Sequence, residues 1–176
     1  MPPTNNIAFP TSTNFNLEQG FPPMDDIPFI SVSLLNSAGT AAKSSIAFNT
    51  LTQGSVGSDT ILVRVSTNAA NGYSAVISSD GGLLSSNDEI QPVSDGTVDG
   101  SSSHGEYGFA VASSDTSNCT RPTGDRAITT TGTNFATCTT WKTQSDTTLT
   151  FKAAVGGGNA SGSVGKALTV IVTGSF

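Results

Sequence analysis

Apolar side chains recur at every second position in one segment of this chain after another. Such alternation is typical of an extended strand with one face in a core and the other in water. The runs begin at Phe29, Ile61, Tyr73, Tyr107, Leu149 and Leu168. No stretch has a convincing helical repeat, and residues typical of turns separate the runs. The sequence predicts an all-β protein, an antiparallel β-sandwich or jelly roll with an extended N-terminal arm.

Two details of this pattern predict local structure. Ile46 and Phe48 mark a further strand between the first and second runs. Residues 61–65 and 73–77 flank a turn that ends in Asn71-Gly72, a pair suited to positive φ. We therefore expect these two runs to pair as a hairpin.

The start of the chain differs from the rest. Five of the eight prolines lie within the first 23 residues. Residues 20–26 form a proline-rich, acidic hinge, because Pro-Pro cannot continue a sheet. This predicts an N-terminal arm at 1–26 and a β-sandwich body at 27–176.

The arm itself has a strand pattern over residues 7–18. Its apolar positions, which we predict to be the polymer interface, are Ile7, Phe9, Phe15 and Leu17. Pro10 lacks an amide donor and suits an edge or an added strand. Two interpretations stay open: an ordinary first strand of the same domain, or a strand that leaves its own body and completes the sheet of a neighbour.

Composition and charge exclude several classes of protein. The formal net charge is −6 and the seven basic residues are scattered singly, so we expect no nucleic-acid partner. The apolar runs are only a few residues long, so we expect no membrane span. The predicted partner is the chain itself, in a head-to-tail homopolymer.

The two cysteines, Cys119 and Cys138, suggest a disulfide in an oxidising compartment. Two buried free thiols are the alternative. The spacing is far from that of a thioredoxin-like motif, and two cysteines with one histidine cannot complete a structural zinc site. We expect a secreted protein at the cell surface, with a leader removed before Met1.

Candidate chemistry is sparse. Asp95 and Asp99 are weak calcium candidates in an Asp/Gly-rich stretch that does not fit the EF-hand spacing. His104 is the only histidine and lies among serines and glycines, which indicates a solvated loop. We therefore expect no catalytic residues and no cofactor, apart from possible calcium. Trp141 offers a sugar-stacking surface or packs on the cysteine bridge, whereas Tyr73 and Tyr107 are expected in the core.

The stretch from Val65 to Ile77 resembles a strand-turn-strand pattern of secreted bacterial surface proteins. The plan of the chain resembles TasA-like or pilin-like donor-strand filament subunits, with a detached β arm, a jelly-roll body, few charges and abundant Ser and Thr. The resemblance implies a structural role without catalytic residues. The proline-rich hinge and the cysteine pair depart from the TasA pattern.

These observations predict a structural subunit of an extracellular filament or pilus-like fibre, assembled by N-terminal donor-strand exchange. Two alternatives remain. A monomeric surface adhesin or carbohydrate-binding module predicts binding of glycans near Trp141. A viral capsid, tail or decoration protein predicts closed shells, or tubes of defined symmetry.

Overall fold

The computed structural model describes residues 27–84, 89–100, 103–157 and 166–176. These residues form ten β-strands and no helix. The predicted all-β class is therefore confirmed for the described part of the chain. The arm at 1–26, with its strand at 7–18 and hinge at 20–26, lies outside the described residues.

Six strands form the larger sheet. They are β1 (Ile30–Leu35), β2 (Val56–Thr67), β4 (Leu83–Leu84), β5 (Glu89–Pro92), β6 (Glu106–Ser113) and β9 (Lys142–Ala154). Their order across the sheet is β1-β2-β9-β6-β5-β4. Neighbours are antiparallel except for β5 and β6, which are parallel.

Four strands form the smaller sheet. They are β3 (Tyr73–Ser79), β7 (Cys119–Thr120), β8 (Thr133–Cys138) and β10 (Leu168–Gly174). Their order is β10-β3-β8-β7, and every pair is antiparallel. Among the described residues, β10 is therefore an edge strand with one partner, β3.

The two sheets share one hydrophobic core. Val63, Phe109 and Leu149 of the larger sheet belong to the same buried cluster as Ile77 and Phe135 of the smaller sheet. The alternation in the sequence explains this, since side chains two residues apart point to the same face of a strand. The two-layer arrangement is consistent with the predicted sandwich.

The predicted hairpin between residues 61–65 and 73–77 is wrong. These residues lie in β2 and β3, which belong to different sheets. Both have apolar faces, and these faces meet across the core instead of lying side by side in one sheet. Gly72 ends the connection at φ 77°, and a Cβ there would lie 2.1 Å from the carbonyl oxygen of Cys138. The crossing between the sheets therefore requires glycine at this position.

The strand predicted at Ile46 and Phe48 is also absent. Residues 43–51 are irregular, although Ile46, Phe48 and Leu51 are partly buried against the core. Asp59 of β2 binds this segment, because its carboxylate accepts hydrogen bonds from the Lys43 ammonium and from the Ala47 amide. Side-chain bonds therefore replace the backbone ladder that a strand would form here.

Candidate functional site

The free edge of β10 is the first part of the candidate site. On the β3 side, the Ala167 carbonyl accepts a backbone hydrogen bond. The Ser175 amide and carbonyl also form backbone hydrogen bonds on that side. Backbone groups alternate in direction along an antiparallel strand. Every second residue of β10 therefore directs its amide and carbonyl away from β3. These residues are Leu168, Val170, Val172 and Gly174. No described segment pairs with that edge.

The side chains of β10 also lack full cover. Val170 and Val172 lie opposite Ile77 and Ala75 of β3 in the register, and both of those β3 residues are fully buried. Val170 and Val172 therefore point toward the core, yet both remain partly exposed. Ile171, on the other face, is 52% exposed.

The same lack of cover is found on β1, the neighbouring edge of the larger sheet. Ile30 and Val32 lie opposite Thr67 and Val65, which are buried, so they too are on the core side of their sheet. Ile30 is nevertheless 36% exposed and Val32 42%. The smaller sheet ends at β10, and among the described residues it has no further strand to cover these side chains.

A cleft of about 1090 Å³ opens between the sheets next to this edge. We call it the inter-sheet cleft; its apolar walls include Leu34, Ile61, Ile77, Leu149, Phe151 and Val170. Residues 44–51 border it as well. The volume is at the upper end of that of small-molecule sites, and an apolar cleft of this size can accept several side chains.

Charges hold the rim of the inter-sheet cleft in place. Asp59 accepts hydrogen bonds from Lys43 and from the amides of Ala47 and Thr60. Burial by itself raises the pKa of this carboxyl, but these donors outweigh burial and keep the pKa below its ordinary value. Asp59 therefore stays ionised at neutral pH and keeps residues 43–51 against β2.

Two lysines line the inter-sheet cleft. Lys166 donates a hydrogen bond of 2.7 Å to the Tyr107 hydroxyl, and its ammonium lies 4.7 Å from the centre of that ring. Lys152 pairs with Asp125 at 2.8 Å. The cleft therefore combines apolar walls with two lysines that are both engaged, one by Asp125 and the other by the Tyr107 hydroxyl.

The structure contains the Cys119–Cys138 disulfide, as predicted. The bridge joins β7 to β8, where the two cysteines are direct register partners. Trp141 is 60% exposed. Tyr73 and Tyr107 are buried in the core, as expected.

The acidic residues give no formed metal site. Within the described residues, no group of three or more His, Cys, Asp or Glu side chains is placed to hold a metal ion. Asp95 accepts a hydrogen bond from the Thr97 amide, which closes a local turn. The calcium assignment of Asp95 and Asp99 therefore gains no support from this geometry.

The sequence analysis did not identify Glu106, a carboxylate beside these two aspartates. It is only 7% exposed, and within the described part of the chain its Oε2 has no hydrogen-bond partner. Burial raises the pKa of this carboxyl, and the charges of Asp95 and Asp99 raise it further, although a hydrogen bond from the Asp99 amide opposes them. In the sequence it lies on the face opposite Tyr107 and Phe109, so the alternation gave no signal of its burial.

The remaining predicted residues lie in a loop or outside the described part of the chain. His104 is exposed, as expected for a loop. The predicted polymer interface, Ile7, Phe9, Phe15 and Leu17, lies outside the described residues. In the part of the chain that is described, no helix has the length and apolar character needed to cross a membrane.

Comparison with protein-family models, with curated proteins and with solved structures finds no match for this chain. The functional argument therefore rests on the geometry of the chain itself.

Proposed function

We propose that this protein is a structural subunit of an extracellular filament that assembles by N-terminal donor-strand exchange. The observation that carries the proposal is the uncovered edge of the body, where the inter-sheet cleft opens beside β10. An edge of this kind favours association with an additional strand. The arm supplies a suitable pattern, with apolar residues on one face over residues 7–18.

The strand order supports a jelly-roll body for this subunit. In the larger sheet β2, β9 and β6 are neighbours, and in the smaller sheet β3, β8 and β7 are neighbours. Arg126 exchanges two backbone hydrogen bonds with Phe109 of β6, which continues the larger sheet by one short bridge. We interpret this nested order as two interlocked Greek keys.

Secretion to the cell surface is part of the same proposal. The disulfide supports it, because such bonds persist in oxidising compartments. The bridge also reduces the entropy of the unfolded chain. For a loop of this length, this stabilises the folded state by about 3 kcal/mol, which benefits a protein that remains outside the cell.

The arm is tested by charge substitution in the full-length chain. We expect the double variant Phe9→Asp/Phe15→Asp to stop assembly, because a buried carboxylate without a partner is strongly unfavourable. The matched control is Ser12→Asp/Asn14→Asp, which places the same charges on the polar face of the arm. Sedimentation and negative-stain microscopy report assembly.

The wild type and the control should form filaments, whereas the Phe9/Phe15 variant should sediment as a monomer with an unchanged melting temperature. Equal assembly of the two variants would reject the role of the arm. A wild type that stays monomeric at every concentration would reject the filament.

A second candidate function rests on Trp141. This side chain is 60% exposed at the start of β9, where it can stack on a sugar ring. A monomeric adhesin or carbohydrate-binding module predicts that glycans quench its fluorescence. Because Tyr73 and Tyr107 are buried, Trp141 has neither of them as a second aromatic surface, so the filament is the better supported function.

A further inference from the structure

We propose that the free edge of β10 is the acceptor site for a second copy of this chain, whose residues 7–18 add as a further strand of the smaller sheet. This inference rests on the proposed function and goes beyond it. It assigns the acceptor surface to particular residues, and it states which molecule supplies the added strand.

Backbone chemistry is the first argument. Leu168, Val170, Val172 and Gly174 direct their amides and carbonyls away from β3, as the bonding of Ala167 and Ser175 requires. An added strand binds such an edge through main-chain hydrogen bonds, which do not depend on its sequence. The edge is seven residues long, which is within reach of the twelve-residue strand pattern of the arm.

Side-chain cover is the second argument. A strand beside β10 places alternate side chains over the core side of β1, where Ile30 and Val32 are exposed. The arm has apolar side chains at alternate positions, so those opposite the edge all point to this surface. The four apolar residues of the arm span eleven positions and the edge has seven, so one register buries two of them against it.

The third argument concerns which copy supplies the strand. The body begins at Ile27, whose carbonyl accepts a hydrogen bond from Asn68 at the turn between β2 and β3. The acceptor surface reaches this end of the body as well, since Gly174 pairs with Tyr73 just after that turn. The proposed function therefore decides which copy supplies the strand. In a filament the arm of one subunit adds to the β10 edge of the next, and the contact repeats head to tail.

Photo-crosslinking in the full-length chain tests the assignment. A benzophenone amino acid replaces Val32, which faces the acceptor surface, or Ser33, its exposed neighbour on the opposite face. Chains labelled with ¹⁴N and ¹⁵N are mixed before assembly, so that mass spectrometry identifies which copy supplies each crosslinked peptide. We expect the probe at position 32 to capture residues 1–20 of the other isotope, at least about tenfold more than the probe at 33.

A second pair of variants keeps the test independent of the probe. Val170→Asp points its charge into the acceptor surface, whereas Ile171→Asp carries it on the opposite face of the same strand. We expect the first to lose assembly and the second to keep it, with both melting cooperatively.

The outcomes separate this inference from the proposed function. The acceptor site is overturned if filaments form but the crosslinks at position 32 never include the arm, or include only the arm of the same chain. The proposed filament function would survive that result. Failure of the wild type to assemble would overturn both.

Discussion

Glu106 shows how one residue departs from the pattern around it. It begins β6 on the face opposite Tyr107 and Phe109 and is buried there, and its Oε2 has no hydrogen-bond partner among the described residues. A charge in this position is unfavourable, and the neighbouring charges of Asp95 and Asp99 add to the cost. The body therefore has a local weakness that depends on the protonation of one carboxyl.

We expect Glu106→Gln to stabilise the protein at pH 8 by about 1–3 kcal/mol, the usual cost of an unsatisfied buried group. Because the pKa of Glu106 is raised in the folded state, the wild type gains stability as pH falls through that pKa. The gain is complete below the ordinary value for glutamate. The difference between variant and wild type should therefore shrink at low pH.

Urea unfolding at pH 8 and at pH 4 measures this effect, and the second pH serves as the control. A variant that is less stable than the wild type at pH 8 would contradict the account.

At the scale of elements, the pairing of β2 and β9 forms the centre of the larger sheet. Arg64 and Asp146 lie directly opposite each other in the register. The guanidinium Nε and Nη2 each donate to a different carboxylate oxygen, and both distances are 2.8 Å. Such two-point contacts fix geometry as well as adding energy.

We expect Asp146→Asn to destabilise the protein by about 1 kcal/mol at pH 7, a value kept small because both side chains are partly exposed. The hydrogen bond from Arg64 lowers the pKa of Asp146, so its contribution is present above the ordinary aspartate pKa. The contribution is lost as pH falls through the lowered pKa. The variant and the wild type should therefore converge in acid.

Thermal unfolding of both proteins between pH 7 and pH 2 tests this expectation. Asp80→Asn is the matched control, because Asp80 is exposed and outside the strands, and its effect should stay within about 0.5 kcal/mol. A difference between Asp146→Asn and wild type that persists unchanged at pH 2 would refute the role of this pair.

The sequence predicted the long strands well, because their two-residue repeat directly records which side chains are buried. Pairing was harder to predict. The repeat in β2 and β3 shows that each has an inward face, but it cannot show whether the two lie side by side or across the core. The same limit hid the proposed acceptor surface, since Val32 and Val170 have the same pattern as fully covered residues.

Short or irregular elements escaped prediction for a different reason. β7 has only two residues, Cys119 and Thr120, too few for a repeat. The strand expected at Ile46 and Phe48 has the right repeat, but Asp59 holds the segment through side-chain bonds. Contacts of this kind join residues distant in sequence, so local pattern does not reveal them.

For the whole molecule, the proposed filament requires a balance between charge and apolar surface. The formal net charge of −6 makes copies repel one another at long range. In the proposed filament, attraction must therefore come from burial at short range, at the exposed side chains of β1 and β10. Because the cost of association is estimated at about 4–15 kcal/mol, apolar burial and main-chain hydrogen bonds are both needed for a durable joint.

The filament structure itself tests the central claim most directly. Cryo-electron microscopy of assembled full-length protein should show a strand beside β10 whose density continues into Ile27 of a neighbouring subunit. Density that runs instead into Ile27 of the same subunit, or filaments in which the edge of β10 contacts no strand, would contradict the account.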